Sequence, residues 1–255
     1  MFSKLGTKIA LQRAGLGGIS LPKTDGLFGG NNAKSTDANG AEGGNAGFTN
    51  PFANLQWGVP KALASWSTPP PPQNAVREPP RIGERAQTNA KLRFPTVDGR
   101  PVVVLFLRFC GCPFTEKLFL QLRSLANRHT AIHFIAISHC TPAATKAWLD
   151  KFGGAWNVDV IVDQTREIYA LWGLGISNWG HVLHPRNGYS QYMLRKNEGV
   201  LGQQVGEGAC RWQVGGAYAV DGRGIVTWGG PMQSVDEVVR LEDGVKTLGF
   251  GETRI

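Results

Sequence analysis

Six consecutive apolar residues, Val102-Val103-Val104-Leu105-Phe106-Leu107, constrain most strongly what this chain can become. The run is β-branched at its start and never alternates with polar residues. A strand that is apolar on both faces belongs inside a parallel sheet with helices on either side. The chain then turns through Arg108-Phe109-Cys110-Gly111-Cys112-Pro113 and continues as an amphipathic helix. Phe114, Leu118, Leu122, Leu125 and Ala126 fall on one side of that helix, with Glu116, Lys117, Gln121 and Arg123 between them. Pro113 suits the first helical position, where a missing N–H costs nothing. That places Cys112 at the helix N-cap, beside unpaired backbone donors and the positive end of the dipole.

A thiol so placed is expected to ionise more readily than a free one, and the thiolate is the reactive form. Strand, sharp turn, cysteine, helix is an arrangement that suits thiol chemistry. The alternative is that Cys112 only packs, since free cysteine is among the most buried residue types.

Before Leu92 periodic apolar pattern is almost absent. Residues 26 to 47 carry seven glycines, 68 to 72 read Thr-Pro-Pro-Pro-Pro, and Glu78-Pro79-Pro80 follows. Residues 1–75 are therefore expected to be a disordered Gly/Pro-rich arm, leaving one domain over 76–250. Such a length is enough for a well-buried α/β core. The net charge of +8 is spread along the chain: nine Lys/Arg against five Asp/Glu in the first 90 residues, eighteen against fourteen after them. No basic patch with interleaved aromatics marks a nucleic-acid surface, and no apolar stretch is long enough for a membrane span. Four cysteines, Cys110, Cys112, Cys140 and Cys210, are too few for a disulfide scaffold and lack the spacing of a structural zinc site. They suit a reducing compartment with one or two working thiols. Met1 to Thr24 is basic, free of acidic residues and dotted with Phe2, Leu5, Ile9, Leu11 and Leu16. That reads as a mitochondrial presequence over 1–24, with a plain disordered tail on a cytoplasmic protein as the alternative.

In chain order, Leu92 to Gly99 reads as a short hairpin leading into the central strand. The helix from Pro113 ends near Arg128-His129, and a second buried strand spans Ile132 to Ile137. Thr141-Pro142 caps a helix through Lys151-Phe152, stopped by Gly153-Gly154. Asn157 to Val162 is a third strand, and Asp163-Gln164-Thr165 caps a short helix from Arg166 to Trp172. Ser177 to Trp212 has no clear period and reads as an irregular insertion, either a lid or a loop wrapped onto the core by Trp179, Tyr189, Tyr192 and Trp212. His181 and His184 in it lack the carboxylate or thiol of a metal set. Gly216 to Trp228 forms a β-hairpin about Asp221-Gly222-Arg223-Gly224. A last helix begins after Ser234 and buries Val235, Val238, Val239, Leu241, Val245 and Leu248.

This order of elements, with a cysteine at the first strand–helix junction, resembles the divergent branch of the peroxiredoxin-like (AhpC/TSA) family of the thioredoxin-fold superfamily. The resemblance rests on Cys112-Pro113, on the segment Val162-Asp163-Gln164-Thr165-Arg166-Glu167-Ile168-Tyr169-Ala170-Leu171-Trp172-Gly173, and on the hairpin Tyr218-Ala219-Val220-Asp221-Gly222-Arg223-Gly224. It covers roughly residues 76 to 250. It implies an α/β, thioredoxin-like fold: a mixed central sheet with helices on both faces, preceded by the disordered N-terminal arm. The family's peroxidases carry Thr or Ser three residues before the cysteine and Pro four before that, where this chain has Phe109 and Leu105. The arginine of the penultimate strand aligns with Gly215, with Arg211 four residues earlier as a substitute. Thr115 stands where the divergent branch often has a second cysteine.

The resemblance implies a thiol-dependent antioxidant or redox protein that reduces peroxides or disulfides through Cys112. Arg108 or Arg211 would help hold the thiolate. Resolution would fall to Cys110 or to Cys140, which ends the strand beside the central one, with Cys210 behind them. No cofactor and no metal is needed. The expected partners are a peroxide or disulfide substrate, a thiol reductant and, as an assembly option, a homodimer. A catalytically inactive thioredoxin-fold binding or assembly module is the competing class.

Overall fold

The computed structural model describes residues 64–66, 75–177, 182, 185–200 and 202–250. The expected presequence at 1–24, most of the expected arm, and His181, His184 and Trp179 of the insertion lie outside these described residues. Among them, five strands make one mixed sheet: β1 Val102–Phe106, β2 His133–Ser138, β3 Val158–Val162, β4 Gly216–Val220 and β5 Val226–Pro231, in the order β3-β2-β1-β4-β5. β2 runs parallel to β1, with Val102 beside His133 and Phe106 beside Ile137, whereas β4 runs antiparallel, with Val102 beside Val220. The helices are α1 Pro113–Arg128, α2 Pro142–Asp150, α3 Glu167–Leu171, α4 Pro185–Glu198 and α5 Leu241–Thr247.

β1 lies at the centre because its apolar run feeds two cores at once, and all five of its residues are buried. Val103, Leu105 and Leu107 pack with Leu118, Phe119, Leu122 and Leu125 of α1, Trp148 of α2 and Val245 of α5. Val102, Val104 and Phe106 point the other way, into Ile168, Tyr169, Trp172 and Tyr218. Each large side chain buried in this way stabilises the fold by about 1.5–3 kcal/mol. The expected mixed sheet with helices on both faces is therefore the fold observed. Thr141 accepts from the Ala144 N–H, which starts α2 where the sequence placed it. Asp163 accepts from the backbone N–H groups of Ile168 and Tyr169, so α3 begins one residue later than expected.

Three expectations are corrected. The lead-in hairpin before β1 is a series of turns, and the only pairing on that side is an isolated bridge between Arg85 and Ile225 among the described residues. The Ser177–Trp212 insertion contains the fourteen-residue helix α4, which is polar nearly all round and so has no period to read. Polar contacts hold that helix: Ser190 and Arg186 meet Asp236, and Lys117 of α1 pairs with Glu198 at 2.5 Å. The last helix starts at Leu241, not after Ser234. Val235, Val238 and Val239 still pack on the core, but from an irregular run, consistent with the low helix propensity of β-branched residues.

Candidate functional site

Because β1 and β2 are parallel neighbours, the turns that follow them share one rim of the sheet, and this rim carries the thiols. Cys112 is the N-cap of α1, in extended backbone conformation and with Pro113 behind it. Its sulfur lies 3.6 Å from Nη1 of Arg108, which enters from the end of β1. The other guanidinium nitrogen, Nη2, donates to the Arg211 carbonyl at 2.6 Å, so the side chain of Arg108 is fixed from both sides. Arg211 itself donates from Nε to the Ser65 hydroxyl at 3.1 Å and stacks on the Trp66 ring at 4.6 Å. The Phe109 ring meets both guanidinium groups, with its centroid 5.1 Å from Cζ of Arg108 and 5.4 Å from Cζ of Arg211. Burial, followed by the nearby Arg108 charge, pushes Arg211 below its usual value.

Cys110 points to the other side of the turn. Its sulfur is 3.5 Å from the Ser138 hydroxyl and 4.0 Å from that of Thr145, and the two hydroxyls are 2.9 Å apart. The backbone N–H of Cys110 donates to the Cys140 sulfur at 3.4 Å. Cys210 lies beyond, its N–H donating to Nε2 of His139 at 2.9 Å. Burial holds that imidazole neutral and pushes it down to about 3, with the charges of Arg166 and Arg108 adding to the effect. All four cysteines are free and buried.

A strap from the insertion closes over this rim. Gln203 N–H donates to the Gly111 carbonyl at 3.3 Å, Gly206 N–H to the Cys110 carbonyl at 3.1 Å, and Thr141 N–H to the Glu207 carbonyl at 3.0 Å. Gly111 has φ +105°, and a Cβ there would stand 2.9 Å from the carbonyl oxygens of Gln203 and Gln204. Only glycine lets the thiol turn and the strap meet so closely. Under the strap Cys112 is 1% exposed, and Cys110 and Cys140 are at 0%.

The expected residues thus divide into two groups. Arg108, Cys112 and the Arg211 backbone form one; Cys110 and Cys140 form the other. The arginine position aligned with Gly215 is crowded, since a Cβ there would come 3.0 Å from the Phe106 carbonyl oxygen and 3.2 Å from the Met232 sulfur. Ser138, His139 and Thr145 were not anticipated, although Ser138 and His139 sit at the end of β2 and Thr145 in the first turn of α2. Ser65 and Trp66 fall inside the expected arm, yet they form a 3-10 turn whose carbonyls accept from Arg211 N and Trp212 Nε1. Among the described residues, no cluster of His, Cys, Asp or Glu is arranged to hold a metal, and no helix is long and apolar enough to cross a membrane.

Residues 121–234 match the family described as AhpC/TSA antioxidant enzyme, a span from the middle of α1 to just past β5 that does not include the thiol turn. The peroxiredoxin-like protein from Aquifex aeolicus is similar over 69% of this chain and 90% of its own, at 16% identity and a TM-score of 0.47. Thiol peroxidase from Chromobacterium violaceum is similar over 70% of this chain and 92% of its own, at 12% identity and a TM-score of 0.46. No curated protein matches the chain significantly.

Proposed function

We propose that the chain carries a peroxiredoxin-like domain of the AhpC/TSA family within the thioredoxin-fold superfamily, and that it is a thiol-dependent redox protein whose Cys112 reduces a peroxide. The observation that carries this reading is the Arg108 guanidinium held 3.6 Å from the Cys112 sulfur by its second bond to the Arg211 carbonyl. A fixed cation at a helix N-terminus beside the sulfur stabilises negative charge that develops on an oxygen bound there. The thiolate attacks one peroxide oxygen and the O–O bond breaks. The other oxygen leaves as water or an alcohol after taking a proton, and Cys112 becomes a sulfenic acid. One external thiol then displaces the hydroxyl as water to give a mixed disulfide, and a second attacks that disulfide, leaving as the external disulfide and returning Cys112 to the thiol.

The burial of Cys112 under the strap favours a second reading, a thioredoxin-fold binding or assembly module in which this thiol only packs. Stopped-flow tryptophan fluorescence distinguishes the two, because Trp66 and Trp212 adjoin the site at a centroid separation of 5.7 Å. Under the redox reading, hydrogen peroxide or an organic hydroperoxide gives a rapid change that Cys112→Ser abolishes. Arg108→Met should slow it about 10- to 150-fold, as expected for the loss of a charged contact of about 1.5–3 kcal/mol. A rate equal to that of a free thiol and unchanged by Cys112→Ser would leave the module reading.

A further inference from the structure

We propose that Arg211 is a carboxylate-binding subsite beside Cys112, so that the peroxide reduced here carries a carboxylate; this rests on the peroxidase reading above and names the substrate class of that site. Two guanidinium groups meet the Phe109 ring, but they are held in different ways. Arg108 is committed on both terminal nitrogens, Nη1 to the Cys112 sulfur and Nη2 to the Arg211 carbonyl. Arg211 is anchored from behind: its backbone N–H donates to the Ser65 carbonyl at 2.9 Å and its Nε to the Ser65 hydroxyl at 3.1 Å. Its guanidinium packs on the Trp66 ring at 4.6 Å and on the Phe109 ring at 5.4 Å. Neither terminal nitrogen of Arg211 hydrogen-bonds to a described residue, and no described carboxylate forms an ion pair with either arginine. A guanidinium fixed at Nε and packed against two rings presents those nitrogens as a pre-organised fork, which matches a carboxylate bidentately.

The balance of charge argues the same way. Arg108 is 7% exposed, its Nε is buried without a partner, and Arg211 is half-buried. Cations withdrawn from water without counter-charge are costly, and a thiolate at Cys112 answers only one of the two. A substrate carboxylate supplies the second negative charge and leaves Arg108 to the reacting oxygen. Cys112 lies under the strap, whereas Arg211 keeps part of its surface in solvent. The carboxylate therefore docks on the fork, and the peroxide end meets the sulfur once the strap lifts. The thiolate takes the outer peroxide oxygen, the O–O bond breaks, and the inner oxygen leaves as the alcohol after taking a proton. The carboxylate itself is unchanged, so its whole effect is to bind and orient.

The test uses the reduced full-length protein and two peroxides, cumene hydroperoxide bearing a para-carboxylate and the methyl ester of the same compound. Stopped-flow tryptophan fluorescence gives the second-order rate of oxidation by each. The acid should react about tenfold faster than the ester, the size of one charged contact partly open to solvent, and the ratio should shrink as salt is raised. Arg211→Met, checked by a thermal melt, should bring the ratio close to one. Ser65→Ala, which releases Nε and keeps the charge, should lower the ratio in part. In wild type, para-isopropylbenzoate should compete with the acid peroxide and para-isopropylbenzamide should not, a comparison that needs no variant. Equal wild-type rates for acid and ester would overturn the proposal, as would a preference unmoved by Arg211→Met in a folded variant or para-isopropylbenzoate competing no better than the amide. Binding of para-isopropylbenzoate alone separates this proposal from the peroxidase reading, because Trp66 packs on the fork and reports binding without turnover. If neither peroxide reacts while that carboxylate still changes the emission, the peroxidase reading fails and the subsite stands. If both peroxides react alike and the carboxylate changes nothing, the peroxidase reading stands and the subsite falls.

Discussion

Replacing Gly111 with alanine should open the thiol site without touching any sulfur. The wild-type strap is held near the thiol turn by three main-chain hydrogen bonds, from Gln203 and Gly206 to the turn and from Thr141 to Glu207. At about 1 kcal/mol each they favour the closed form by about 3 kcal/mol, roughly a hundredfold excess over an open one. An alanine Cβ would stand 2.9 Å from two strap carbonyls, and its φ of +105° is unfavourable for any side chain. Relieving the clash means lifting the strap and giving up the bonds at Gly111 and Cys110, which removes about 2 kcal/mol of that preference. The open population should rise about 30-fold. The assay is the rate of Cys112 alkylation by iodoacetamide, read on peptide 109–117, with a thermal melt to confirm that the fold persists. Gly111→Ala should alkylate about 30-fold faster, in proportion to the open population. An unchanged rate in a folded variant would refute the claim that the strap controls access.

Two further outcomes test the electrostatics and the frame of the site. The buried His139 stays neutral in the folded protein down to about 3 but takes up a proton below about 6.5 once unfolded, so stability falls as pH drops between those values. Urea denaturation at pH 6.5 and pH 5 should show wild type losing about 2 kcal/mol, and His139→Gln, whose amide oxygen can still accept from Cys210 N–H, losing clearly less. The Tyr169 hydroxyl lies 2.7 Å from the carbonyl oxygens of both Leu107 and Ile137, which share its one proton, tying together the C-terminal ends of β1 and β2. Tyr169→Phe should cost about 2 kcal/mol and lower the melting temperature by about 4–8 °C; an unchanged melt would show that the hydroxyl is not needed there.

The central part of this fold was legible because its signals are local. The uninterrupted Val102–Leu107 run, Pro113 after Cys112, Thr141 before Pro142 and the Asp221-Gly222 turn each act within a few residues of themselves. α4 was not legible, since a helix held through Arg186, Ser190 and Glu198 by Asp236 and Lys117 shows no apolar stripe. The start of α5 was misplaced because valines that pack on a core need not be helical. The clamp on Arg211 joins residues 146 apart in sequence, and no periodicity reports such a contact. The N-cap position of Cys112 was legible from Pro113 behind it. The division of the thiols into an arginine-facing Cys112 and a hydroxyl-walled Cys110 beside Cys140 was not, because it depends on which way the side chains on either side of Gly111 leave the turn.

The three hydrogen bonds that fasten the strap are all made by main-chain atoms, and this has a consequence for recognition. The path of the backbone is what seals the rim, so the side chains of Gln204 and Glu207, which face outward, play no part in the closure. Charge and size at those two positions can change without loosening the cover. The outer surface of the strap can therefore be tuned independently of the sulfurs underneath.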